Sequence, residues 1–187
     1  MGESGNKPKA LPPLTFSEAL NEAMNKVVTF EGRSRRSEFW WAMLVLAAAV
    51  LVVAPLVGAL VIPLAGVYLT PFVGLVISLV AVPLVFRRLH DTGRSGWWWG
   101  GGAIMQVASW LMLAVLTARA GDSIWYDDYD PGLWMLAVVY VILAVAVVVY
   151  HIVVLVFLCQ DSELEENDYG PSPKYPAEDT DAGDATD

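Results

Sequence analysis

The chain has 187 residues, enough for one domain or a small bundle. Its composition is 56% hydrophobic at a formal net charge of −9, which speaks against an ordinary soluble globule and against nucleic-acid binding. One cysteine, Cys159, excludes an internal disulfide.

In chain order, residues 1–14 are rich in Pro, Lys and Gly and read as disordered. Thr15-Phe-Ser-Glu18 is a capping-box pattern that opens a helix. Phe16, Leu20, Ala23, Met24, Val27 and Val28 recur at helical spacing, with Glu18, Glu22 and Asn25 on the other side. An amphipathic helix on the membrane surface or on the bundle is expected there. Gly32 breaks it, and Arg33, Arg35 and Arg36 hold the boundary in the headgroup layer.

Residues 39–86 carry no charged side chain, a length that suits two membrane spans at about 20 apolar residues each. The expected spans are 40–62, with Pro55 as a kink point, and 69–86, with an uncharged turn over residues 63–71. At about 1.5 Å per residue the first is about 34 Å long, enough to cross with some tilt. Residues 87–98 form the turn around which the rest is arranged: Arg87 and Arg88 close one apolar run, and Trp97, Trp98 and Trp99 open the next. Gly93 suits the left-handed end of the preceding helix, and Ser95 suits an N-cap for the following one. Spans three and four are expected at 97–117 and 133–158, joined by an acidic, aromatic outward loop.

Half of the 20 acidic residues lie in 161–187, which reads as a disordered acidic tail. Lys and Arg concentrate before residue 37 and in the 87–94 turn, whereas the two opposite loops hold only Arg119. Both termini should therefore be cytoplasmic. The expected fold is an all-α integral membrane protein with four transmembrane helices and an N-terminal amphipathic surface helix. Its parts would be 1–14, a four-span domain over 15–160, and the tail 161–187.

Phe30-x-Gly-Arg-x-x-Arg-x-Glu-Phe-Trp40, Arg87-Arg-Leu-His-Asp-x-Gly-x-Ser-Gly-Trp-Trp98 and Asn167-x-Tyr-Gly-x-x-Pro173 are three successive motifs. Together they resemble the signatures of the domain-of-unknown-function family 805, over about residues 26–173. The chain departs from that pattern in the acidic approach to the last motif, Glu163, Glu165 and Glu166. The resemblance implies a small, multi-pass protein of the bacterial inner membrane; it implies no activity.

All three motifs fall on the cytoplasmic side of this topology. Arg33, Arg35, Arg36, Glu38, Arg87, Arg88, His90, Asp91 and Arg94 are thus expected in one polar cluster. Its simple reading is snorkelling anchors and ion pairs that fix helix ends. The sharper reading is a site for anionic lipid or a partner protein, formed by Arg33, Arg36, Arg87, Arg88, His90, Asp91, Arg94 and Ser95 near the start of span three.

An enzyme would use Ser95 as nucleophile and His151 as base, as Gly93-Arg-Ser-Gly96 suggests. An N-cap already explains Ser95, and four spans are fewer than intramembrane serine proteases use. A small-solute transporter or channel is the alternative. His151 is its intramembrane polar candidate, yet no charged residue lies near midplane. Asp122, Asp127, Asp128 and Asp130 lack the spacing of an EF-hand loop, and Cys159, His90 and His151 form no metal pattern. No cofactor or metal is expected. The expected partners are membrane lipids, with a protein partner or a second copy possible and no nucleic acid.

Overall fold

The computed structural model describes residues 9–60, 63–126 and 131–176, and among these the chain is all-helical, with no strand. Helix α1 (Phe16–Asn25) begins as its sequence demands. Thr15 accepts from the Glu18 N–H, and the Glu18 carboxylate accepts from the Thr15 N–H at 2.8 Å. Gly32 follows at φ 82, a left-handed conformation that redirects the chain at the cost of no Cβ clash.

Helix α2 (Arg36–Leu60) is 25 residues long and contains Pro55; helix α3 (Pro63–His90) is 28. The uncharged turn expected over 63–71 is replaced by the start of α3. Proline at a first helical position loses no hydrogen bond and already has the right φ, so Pro63 starts a helix here. Residues 61–62 lie outside the described residues.

Helix α3 ends in a Schellman motif. The Arg94 N–H donates to the Leu89 carbonyl at 2.9 Å and the Gly93 N–H to that of His90 at 3.0 Å, with Gly93 at φ 68. Helix α4 (Trp97–Tyr126) runs past Arg119, into the stretch expected as an outward loop. A charge ends an apolar run without ending a helix, and no proline appears between Trp97 and residue 131. Residues 127–130, and with them most of the aspartates of that loop, lie outside the described residues. Helix α5 (Pro131–Cys159) is 29 residues long and again opens on proline.

Among the described residues, three stretches are long and apolar enough to cross a membrane: Arg36–Val53, Trp97–Gly121 and Pro131–Cys159. The chain divides into two compact units, residues 1–96 with 158–187, and residues 97–157. In the first, α2 packs along α3 and α1 packs on α2. In the second, the Tyr150 hydroxyl donates to the Trp98 carbonyl at 2.7 Å, and the Trp98 ring meets that of Phe157 edge-on at 5.2 Å. A Cβ at Gly101 would come within 2.6 Å of the Tyr150 hydroxyl, so a side chain there would press on the ring that links α5 to α4.

The described parts of both terminal segments are folded, against the expectation from composition. In residues 9–14, the Leu11 N–H donates to the Lys174 carbonyl at 2.9 Å and the Leu14 N–H to the Ser37 hydroxyl at 3.1 Å. Arg35 donates to the Pro12 carbonyl. Residues 161–176 fold back onto the first unit for the reason developed next.

Candidate functional site

Asp91 is the centre of the site. It follows the last residue of α3 and is fully buried. A lone buried carboxylate would be prohibitive, so its neighbours decide whether the arrangement is viable. Arg33 Nε donates to Oδ1 at 3.1 Å, while Arg88 and the Ser162 hydroxyl donate to Oδ2. Burial holds the Asp91 carboxyl above its ordinary value, with Ser162, Arg88 and Arg33 opposing but not cancelling the shift.

Arg33 has five N–H donors and the structure supplies five acceptors. Besides Asp91 Oδ1, they are the carbonyls of Glu165 (2.9 Å), Gly170 (3.1 Å), Asp91 (3.3 Å) and Glu163 (2.8 Å). Arg88, with 0% exposure, donates to the carbonyls of Leu158 (3.0 Å), Ser34 (3.3 Å) and Gln160 as well as to Asp91. Two arginines therefore hold residues 158–170 against the ends of α2 and α3. The segment orders because its backbone carbonyls have charged donors to meet.

Further members of the three motifs close the same knot. His90 Nδ1–H donates to the Gly32 carbonyl at 3.2 Å, and its ring stacks on that of Tyr169 at 3.7 Å and 2° between planes. Burial lowers the His90 pKa, the Gly32 bond opposing it, so the ring stays neutral at neutral pH. Asn167 donates to the His90 carbonyl at 2.9 Å and accepts from the Tyr169 N–H at 3.0 Å. Gly170, at φ 112, offers the carbonyl that Arg33 takes. One wall of a cavity of about 490 Å³ is formed by His90, Tyr169, Phe30 and Phe86.

Arg87 is separate from this knot. It is 1% exposed, and Nη1 donates to Glu38 Oε1 at 2.9 Å. At the surface, Arg36 pairs with Asp161 at 3.2 Å, both side chains 46% exposed. Lys174 Nζ also bonds Asp161, at 2.6 and 2.7 Å. Burial acts to raise the Asp161 carboxyl, but Lys174, the Ser162 N–H and Arg36 outweigh it and hold it below its ordinary range. The same pairing raises Lys174 against its own burial.

Of the sequence candidates, Arg33, Arg88, His90 and Asp91 come together in the knot; Arg87 lies inside beside Glu38 and Arg36 lies outside beside Asp161. Arg94 is half-buried and donates to the Thr92 carbonyl at 2.9 Å, and Ser95 is exposed in the turn before α4. His151 belongs to the second unit, where its Nδ1–H donates to the Val147 carbonyl one turn earlier, at 2.7 Å. Sequence reasoning missed Ser162, Asn167 and Tyr169 as members of the site, although the Asn-x-Tyr-Gly spacing marked two of them. Among the described residues, no group of three His, Cys, Asp or Glu side chains is placed to hold a metal.

Neither the curated proteins nor the solved structures gave a match. The family comparison did: residues 27–171 match the model described as "Protein of unknown function (DUF805)". That range begins before Arg33 and ends after Gly170, so it contains every residue of the knot. The chain belongs to the DUF805 family of proteins of unknown function.

Proposed function

We propose that this is a non-enzymatic, four-span protein of the bacterial inner membrane, with α1 at the membrane surface and both termini cytoplasmic. Its basic cytoplasmic face would bind anionic lipid headgroups. The orientation rests on the excess of Lys and Arg at one end of the spans. Beside the long apolar stretches of α2, α4 and α5, α3 at 28 residues has the length of a fourth span.

The observation that carries the lipid reading is a groove of about 780 Å³ along the first turns of α2, lined by Arg36, Trp40, Trp41, Leu44, Ala47 and Cys159. An exposed guanidinium sits at its polar end, and aromatic and aliphatic side chains continue from it. That is the order of groups along a phospholipid, from phosphate through interface to chain. Among the described residues, Arg36 is paired with the exposed Asp161. Such a pair is worth at most about 1 kcal/mol, so a lipid phosphate can take its place. Arg87 and Arg88 are too deeply buried to meet a headgroup, so the reading rests on Arg36, with the half-buried Arg94 as the remaining arginine of the 87–94 turn.

Lipid analysis of the purified chain tests this. Arg36→Gln should at least halve the anionic lipid retained per folded protein, and raised salt should have the same effect because the site is exposed. Unchanged retention in a folded, correctly inserted Arg36→Gln variant would refute the site and leave its arginine as an anchor.

A further inference from the structure

The donors of Arg33 are fully engaged; those of Arg87 are not. Among the described residues, Arg87 Nε and Nη2 have no hydrogen-bond partner although the side chain is 1% exposed. A buried guanidinium with open donors is costly unless an acceptor reaches it. Arg87 also forms part of the wall of a partly open cavity of about 140 Å³ between α1, α2 and α3, and is the only charged residue among those lining it. The remaining wall is aliphatic, with Leu20 and Ala23 from α1, Ala42 and Leu46 from α2, and Leu84 from α3.

Three physical constraints select the occupant. The wall favours hydrocarbon. The open donors require an oxygen acceptor. The charge of Arg87 is already matched by Glu38, itself 3% exposed, so a second anion would leave unbalanced negative charge beside a buried ion pair. A neutral acceptor satisfies all three. The volume is close to that of an apolar cavity of about 150 Å³ that takes up benzene, so only a short length of chain fits with the acceptor.

We propose that this cavity binds the ester-carbonyl end of a neutral acyl lipid, the carbonyl oxygen accepting from Arg87 Nε and Nη2 and the first methylenes lying against Ala23, Ala42 and Leu84. This site is distinct from the Arg36 groove: it lies on the other lining of α2, takes an uncharged ligand, and stands whether or not the groove binds phosphate.

The test uses the full chain in an ester-free detergent, with monoolein labelled with ¹³C at its carbonyl as the probe. A saturable downfield shift of the carbonyl resonance is expected, from hydrogen bonding to the guanidinium. Ala23→Phe fills the cavity from a partly exposed position on α1 and leaves the Arg87–Glu38 pair intact. It should weaken binding at least tenfold with an unchanged thermal midpoint. If that variant does not fold, Val27→Phe serves, since Val27 lines the same cavity and is 38% exposed. Arg87→Met should abolish the shift, Arg36→Gln should leave it unchanged, and oleate above its carboxyl pKa should bind at least tenfold more weakly than monoolein. The proposal is overturned if no saturable shift appears, if cavity filling leaves binding intact, or if Arg36→Gln alone removes it. Those outcomes assign the Arg87 donors to water, or the lipid to the groove.

Discussion

Around Asp91, two guanidiniums, a hydroxyl and a set of backbone carbonyls form a polar knot inside the first unit, beside buried apolar residues such as Phe39 and Leu89. Among the described residues of the second unit the buried side chains are Leu116, Val147, Val154 and Ser109, while a row of large apolar residues along α4 and α5 faces outward. The contrast shows two ways to hold helices that share an apolar solvent. Lipid gives no hydrophobic drive between helices, so the second unit relies on ring contacts such as Trp98 with Phe157 and on single hydrogen bonds such as that of Tyr150. The first unit adds charge-assisted bonds at the helix ends and recruits segments from both sides of the chain to complete them.

Breaking the centre of the first unit should produce the largest effect. Asp91→Asn leaves Arg33 and Arg88 buried beside a neutral group, an arrangement that costs about 3–5 kcal/mol for a buried pair deprived of one partner. His151→Ala in the second unit removes a bond within a single helix and should cost about 1 kcal/mol. Thermal unfolding of the two variants in detergent measures the difference directly; equal midpoints would remove the distinction between the units.

A smaller effect is expected at Gly93. An alanine there must take φ 68, which costs about 1–2 kcal/mol for an L-residue, and its Cβ would run into the Glu163 carboxylate. Because that contact is the far end of a flexible side chain, the backbone conformation dominates the cost. A Gly93→Ala midpoint lowered by more than that of Asp91→Asn would reverse the order of importance.

The smallest effect sharpens the comparison at its edge. The Asp161 pKa is lowered in the folded chain, so its contribution is present above the ordinary aspartate value of 3.8 and is lost as the pH falls through the lowered one. The Lys174 pKa is raised, so its contribution is present below 10.5 and is lost as the pH rises through the raised value. Between those limits the pair is fully formed. Proteolysis between residues 161 and 176 should therefore be flat across neutral pH and rise in strong acid; a rise between pH 6 and 8 would contradict the assignment.

The helix ends were legible where a side chain writes them: Thr15 and Glu18 at the start of α1, Gly32 and Gly93 at the breaks. The family and the membrane character were legible for the same reason, since motifs and apolar runs are side-chain features. The folded state of residues 158–176 was not. The groups that bind it to Arg33 and Arg88 are the carbonyls of Leu158, Gln160, Glu163, Glu165 and Gly170, and every residue carries a carbonyl. Acidic composition therefore signalled disorder where the backbone supplied order. Arg87 and Arg88 are adjacent in sequence, yet one completes the knot and the other faces a cavity. Successive residues on a helix point about 100° apart, and only packing decides what each meets.

Hydrogen exchange at the Glu163 amide tests the central claim most directly, because that N–H donates to the Asp91 carbonyl at 3.0 Å and lies in the segment that composition calls disordered. If the knot holds residues 158–170 with the strength of a buried pair, about 4 kcal/mol, the amide exchanges about a thousandfold more slowly than in an unfolded peptide. Asp91→Asn should remove most of that protection while amides within α5 keep theirs. Exchange at the unfolded rate in the intact chain would mean that the three motifs do not form one site.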